Sequence, residues 1–244
     1  MRFIRAIVVV LVLLAACGDD DASTTTTTAA GTSTTAGDDA TTTTDGATST
    51  TAGNVAPASI DLDDLTLYLE PADLSYRMTL QFHFVAEAIS GTQQVDGGKI
   101  LDPLHFELTG RAEGDATGPQ CFAFHDLPGF IDPYATFLNE GGMLMGEASL
   151  LAEGIESNGR DVDRYGVTMA NIDPTDDAGS EVDELTEAYI DIDQEGRFVV
   201  RLVLIGRGRS DLLTGQPSLV GDIDYSLDFS EFGTITELQA PEGC

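Results

Sequence analysis

The sequence predicts an α+β domain: a curved antiparallel β half-barrel with a few helices covering its concave face. Two observations carry this expectation. From Tyr76 to Phe84 every even-numbered residue is apolar and every odd-numbered one is polar, and Ala86 and Ala88 continue the even set. Alternation at period two marks a strand with one buried face and one wet face. Second, Phe130, Tyr134, Phe137 and Leu138 fall on one helical face around Asp132-Pro133, a capping residue followed by proline at the first helical position.

The chain opens with Arg2 and Arg5, then the unbroken apolar run Ala6 to Leu14, then Ala15-Ala16-Cys17. Nine apolar residues fall short of the ~20 needed to cross a bilayer as a helix, and they fit the hydrophobic region of a signal peptide. Leu14-Ala15-Ala16-Cys17 resembles a bacterial lipobox. The resemblance implies cleavage after residue 16 and lipid on Cys17. The alternative is an ordinary secretory signal with a chance cysteine. Residues 1–16 are thus expected to be a lipoprotein signal peptide. Several acyl chains together would hold the protein to the outer, extracytoplasmic face of the cell membrane.

Residues 17–57 follow as a tether. Positions 18–53 contain only Thr, Ala, Ser, Gly and Asp, fifteen of them Thr. Nothing there can bury enough apolar surface to offset the entropy of ordering, so a disordered spacer is expected. Its composition also fits an O-glycosylated stalk.

The formal net charge is −31 and becomes −33 once Arg2 and Arg5 leave with the signal. Such a surface repels phosphate backbones and anionic headgroups, which argues against nucleic-acid binding. With Cys17 lipidated, Cys121 and Cys244 remain in an oxidising compartment and are expected to pair. The alternative is two free thiols. The closed loop of over a hundred residues would stabilise the fold by about 4–5 kcal/mol in the chain-entropy reading.

Residues 58–244 suit one domain. Ile60 to Leu74 mixes Asp with Leu and reads as either a short helix or an edge segment. After the strand from Tyr76, Gln93 to Ile100 should return, with Gly97-Gly98 marking a bulge or turn. Leu104, Phe106 and Leu108 alternate, as do Phe122 and Phe124. The helix comes next and Gly141-Gly142 ends it. Ala148 to Glu156 and Asp161 to Ile172 read as strands about Asn158-Gly159, a strong hairpin signal. Tyr165, Val167 and Met169 share a face of the second. Ser180 to Glu187 reads as a short polar helix. Tyr189 to Asp193 and Phe198 to Ile205 form a hairpin about Gln194-Glu195-Gly196, with Phe198, Val200, Leu202 and Leu204 on one face. Ile223, Tyr225, Leu227 and Phe229 give the last strand.

Four landmarks occur in order. They are Phe130-Ile131-Asp132-Pro133, Glu153 to Gly159, Ala188 to Asp193 leading to Glu195-Gly196, and Asp228 to Gly233 before Ala240-Pro241. Across roughly residues 76–241 this pattern resembles the LppX/LprG family of actinobacterial envelope lipoproteins, which are LolA-like. The resemblance implies a half-barrel whose concave apolar face, closed by helices, holds the tails of a lipid or lipoglycan ligand. Residues expected to line such a cavity are Met78, Leu80, Phe82, Phe84, Phe106, Phe122, Phe124, Tyr134, Phe137, Val200 and Leu202. A solid core is the other destination for the same side chains.

Sharper chemistry is largely missing. Asp191-x-Asp193-x-Glu195-Gly196 starts like a calcium loop, but its twelfth position is Leu202 where a bidentate acid is needed. Cys121 and His125 form a C-x-x-x-H pair, with His83 and His105 elsewhere, short of four convergent zinc ligands. Asp173 to Asp177 reads as an exposed loop with at most weak surface Ca²⁺ binding. No nucleophile elbow, P-loop or dinucleotide fingerprint occurs. No cofactor, no metal and no enzymatic activity are expected. The expected function is a tethered lipid-binding, lipid-carrying envelope lipoprotein. The alternative is a sensory or interaction module whose partner is another envelope protein.

Overall fold

The computed structural model describes residues 56–63, 65, 74–87, 89–101, 104–114, 120–127, 134, 138, 143–176, 179–210 and 219–238. The signal run, Cys17, the tether as far as residue 55 and Cys244 lie outside the described residues, as do Asp132-Pro133 and Phe137.

Ten strands form one antiparallel sheet: β1 (Ser59–Asp61), β2 (Tyr76–Ala86), β3 (Ile89–Leu101), β4 (Leu104–Gly114), β5 (Gln120–Leu127), β6 (Glu147–Ser157), β7 (Arg160–Gly166), β8 (Val182–Asp193), β9 (Val199–Arg209) and β10 (Val220–Ser230). Their spatial order is β1-β6-β7-β8-β9-β10-β2-β3-β4-β5. Two meanders, β6 to β10 and β2 to β5, are therefore fused by pairing β10 with β2. The register there sets Tyr225 opposite Phe82 and Leu227 opposite Leu80.

The expected α+β half-barrel is corrected to an antiparallel β fold. Among the described residues no helical element covers a face of the sheet. Two 3-10 turns occur, Met169–Asn171 and Gly179–Glu181, and Tyr134 and Leu138 have helical backbone. The sheet is open, and the side chains of its apolar face share one buried cluster. Ile60 on edge strand β1, Phe106 and Leu108 on β4 and Leu202 on β9 belong to a single buried cluster. Side chains from between the strands fill the remainder: Leu62, Leu65, Tyr134, Leu138, Met143 and Phe198 all join that cluster.

Three local expectations are also corrected. Gly97 and Gly98 make neither bulge nor turn; they sit in unbroken register between β2 and β4. The strand expected to reach Ile172 ends at Gly166, and Met169 is exposed in a 3-10 turn. Ser180 to Glu187 is not a helix but the start of β8. Val182, Leu185 and Ala188 all pack on the apolar cluster, which imitates a helical period of three. Register shifts between Val182 and Glu184 and between Leu185 and Glu187 explain it. Each bulge resets the alternation, so residues three apart return to the same face.

Those bulges need glycines opposite them. A Cβ on Gly206 would clash with the Glu184 carbonyl oxygen, and one on Gly208 with the Glu181 carbonyl oxygen. The Asn158-Gly159 turn joins β6 and β7 as the sequence predicts, with φ of 49° and 77°. The hairpin about residues 194–196 and the final strand also form where expected.

Candidate functional site

One rung runs across the apolar face through successive register partners: Leu150, Tyr165, Ile190, Leu202, Leu227, Leu80, Val95, Gly110 and Phe122. The face is therefore continuous over nine strands. Gly110 is small because the Phe122 ring lies over it; an added Cβ would overlap that ring.

The face is not uniform. At one end Tyr134 plugs it. Its ring lies 4.6 Å from Phe229 and 6.0 Å from Tyr76, centroid to centroid. Its hydroxyl accepts a 2.7 Å hydrogen bond from the Val199 amide, and its own amide donates to the Tyr76 hydroxyl. Toward the other end the apolar side chains of Phe82, Phe122, Leu185 and Ala188 are only partly buried. Tyr225 stands between Leu204 and Phe82 in the register, and burial pushes its hydroxyl well above the ordinary 10.0.

The residues expected to line a cavity fall as follows. Met78, Leu80, Phe106, Tyr134, Val200 and Leu202 are fully buried members of the main cluster. Phe82 and Phe122 are partly buried against it. Phe84 lies in a second, smaller cluster with Ala86 and Ile223, which Phe82 also touches. The Phe124 side chain and Phe137 lie outside the described residues. The structure thus gathers the described members on one face, and most of them are core. Sequence reasoning missed Leu185 and Ala188, because the bulges disguised their strand.

Three nearly inaccessible carboxylates are each held by arginine: Asp191 and Asp193 on the opposite, polar face, and Asp163, the register partner of Ile192, on the Tyr165 side of β7. Asp191, 0% exposed, takes two bonds from Arg164 at 2.7 and 2.9 Å, and that guanidinium also covers the Tyr189 ring. Asp193 accepts from Arg160 at 2.7 Å and from the amides of Glu195 and Gly196. Asp163 accepts from Gln194 and Arg197. Hydrogen bonding to these carboxylates raises the pKa of Arg160 and Arg164, so both stay charged throughout the accessible pH range. Asp191, Asp193 and Glu195 therefore build a hairpin brace: Asp193 spends both oxygens on Arg160 and the turn amides. Among the described residues no group of three or more His, Cys, Asp or Glu converges as a metal site would require.

His83 lies on the polar face, as its odd position requires, and Cys121 is exposed near the start of β5. Among the described residues no helix is long and apolar enough to cross a membrane. In comparisons with known proteins, no family model and no curated protein matches the chain.

Proposed function

We propose that this chain is a tethered extracytoplasmic lipoprotein that binds, and carries, an amphipathic lipid or lipoglycan against the apolar face of its sheet. One observation supports the reading best: a rung free of polar side chains crosses nine strands of this face, yet Phe82, Phe122, Leu185 and Ala188 upon the face are only partly buried. A hydrocarbon tail laid there would gain about 0.8 kcal/mol per buried CH₂ without any polar partner. The lipobox-like segment ending at Cys17 and the LppX/LprG-like landmarks point the same way. Binding needs no covalent chemistry.

The test is lipid extraction and native mass spectrometry of the full chain purified from its own host. A co-purifying lipid is expected, with less of it in Phe82→Asp at unchanged fold. An empty protein that takes up no fluorescent fatty acid overturns the reading.

A second reading rests on charge. All eight arginines beyond the signal run are in ion pairs with carboxylates. The large acidic surplus is left without a compensating basic patch, which favours a cationic envelope protein as partner. Capture of such a partner should fail as salt rises past the physiological range.

A further inference from the structure

Strands β2, β3 and β4 form a groove of about 540 Å³, lined by polar-face residues of these strands and bordered by Phe82 and Gln93. Two cross-strand rungs build it. Gln81, Gln94 and Arg111 are register partners in one; His83, Thr92 and Glu113 form the next. The floor spans three strands one way and two residues of a strand the other, roughly 10 Å by 7 Å. Its volume lies within the range of small-molecule sites.

The chemistry of the lining selects its ligand. Arg111 donates to Glu113 at 2.6 Å, so the cation is neutralised inside the groove. Gln94 gives its amide nitrogen to Asp96 and keeps its carbonyl oxygen for a donor. Gln81, His83 and Thr92 make no side-chain hydrogen bond among the described residues. Asp224 borders His83 on the neighbouring strand. The site therefore offers paired donors and acceptors, no spare positive charge and an acidic rim. A phosphate or carboxylate would be repelled; a ligand with many neutral hydroxyls would not.

We propose that this groove binds a neutral saccharide, with the side chains of Gln81, His83, Thr92 and Gln94 bonding its hydroxyls. The four hydroxyl-bonding side chains lie on the other face from the lipid surface, although Phe82 and Gln93 also border the groove, so the variants tested are Gln81 and His83 and not Phe82.

The experiment uses the full chain, solubilised in a detergent without a sugar headgroup. Maltotriose, cellotriose and mannotriose are titrated one by one, with inorganic phosphate in a parallel arm, and the side-chain amide and imidazole signals are followed by NMR. At least one trisaccharide should shift the Gln81, Gln94 and His83 signals saturably. Gln81→Ala or His83→Ala should weaken that binding about tenfold. Both residues are exposed, and an unchanged unfolding transition would verify that the variants fold. No shift from any trisaccharide up to tens of millimolar, shifts that persist unchanged in both variants, or saturable binding of phosphate instead would each overturn the assignment.

Discussion

The Asn158 side-chain amide donates to Asp228 Oδ1 at 2.9 Å and also reaches the carbonyl oxygens of Val200 and Phe229. Asn158 belongs to the β6–β7 turn, while its acceptors lie on β9 and β10. The hairpin tip must fold over the end of the sheet for these atoms to meet. Arg160, just beyond the turn, continues the contact by lying over the Phe198 and Phe232 rings. Curvature of the sheet is thus locked by a turn residue whose positive φ the sequence already signalled.

Replacing Asn158 separates its two roles. Asn158→Gly keeps the backbone conformation and loses the bonds, at an expected cost of about 1–2 kcal/mol. Asn158→Ala adds left-handed strain, for a total of about 2–3 kcal/mol. Urea unfolding of both variants checks the order; equal costs would mean that the side-chain bonds, not the turn, set the loss.

Gly206 should be among the least replaceable glycines. Gly206→Ala drives a Cβ into the Glu184 carbonyl of the adjoining bulge, where a backbone atom cannot step aside. A loss of about 2–4 kcal/mol is expected. Gly159→Ala is the contrast: nothing lies within 4 Å, so only the φ of 77° resists, at about 1 kcal/mol. Thermal unfolding of the pair should show the larger drop for Gly206→Ala.

Tyr225 makes stability fall in alkali. Burial raises its folded-state value above the ordinary 10.0, so the native protein holds the phenolic proton longer than the unfolded chain. Its contribution is fully present below pH 10 and is lost as pH rises through the window above it. The slope is up to ~1.4 kcal/mol per pH unit. Urea midpoints between pH 9 and 12 should fall more steeply for the parent chain than for Tyr225→Phe.

The Cys121–Cys244 pairing is within reach of the C-terminal segment. Ile235 and Leu238 lie against Gly98 on the polar face, and the Leu238 amide donates to Glu107 at 3.1 Å. From Glu107 the position opposite Cys121 is four residues along β4, roughly 13 Å, plus one strand spacing of about 5 Å. Six residues of extended chain span about 20 Å. Intact-mass analysis should show a gain of two hydrogens on reduction, with the unfolding temperature lowered; no gain would leave two thiols.

The sequence by itself determined the faces of most strands. Tyr76 to Ala86, Phe198 to Leu204 and Ile223 to Phe229 declare their buried side through alternation, because side-chain direction in a strand is a local property. The Asn158-Gly159 turn was legible for the same reason. It misled at Val182 to Ala188, where two bulges turned a strand's spacing into a helix's. Tertiary structure alone decided the fold class, since it depends on which strands pair and on the side chains, such as Tyr134, that pack against the sheet face. It alone assembled the polar groove: Gln81, Gln94 and Arg111 are distant in sequence, and only strand register sets them side by side.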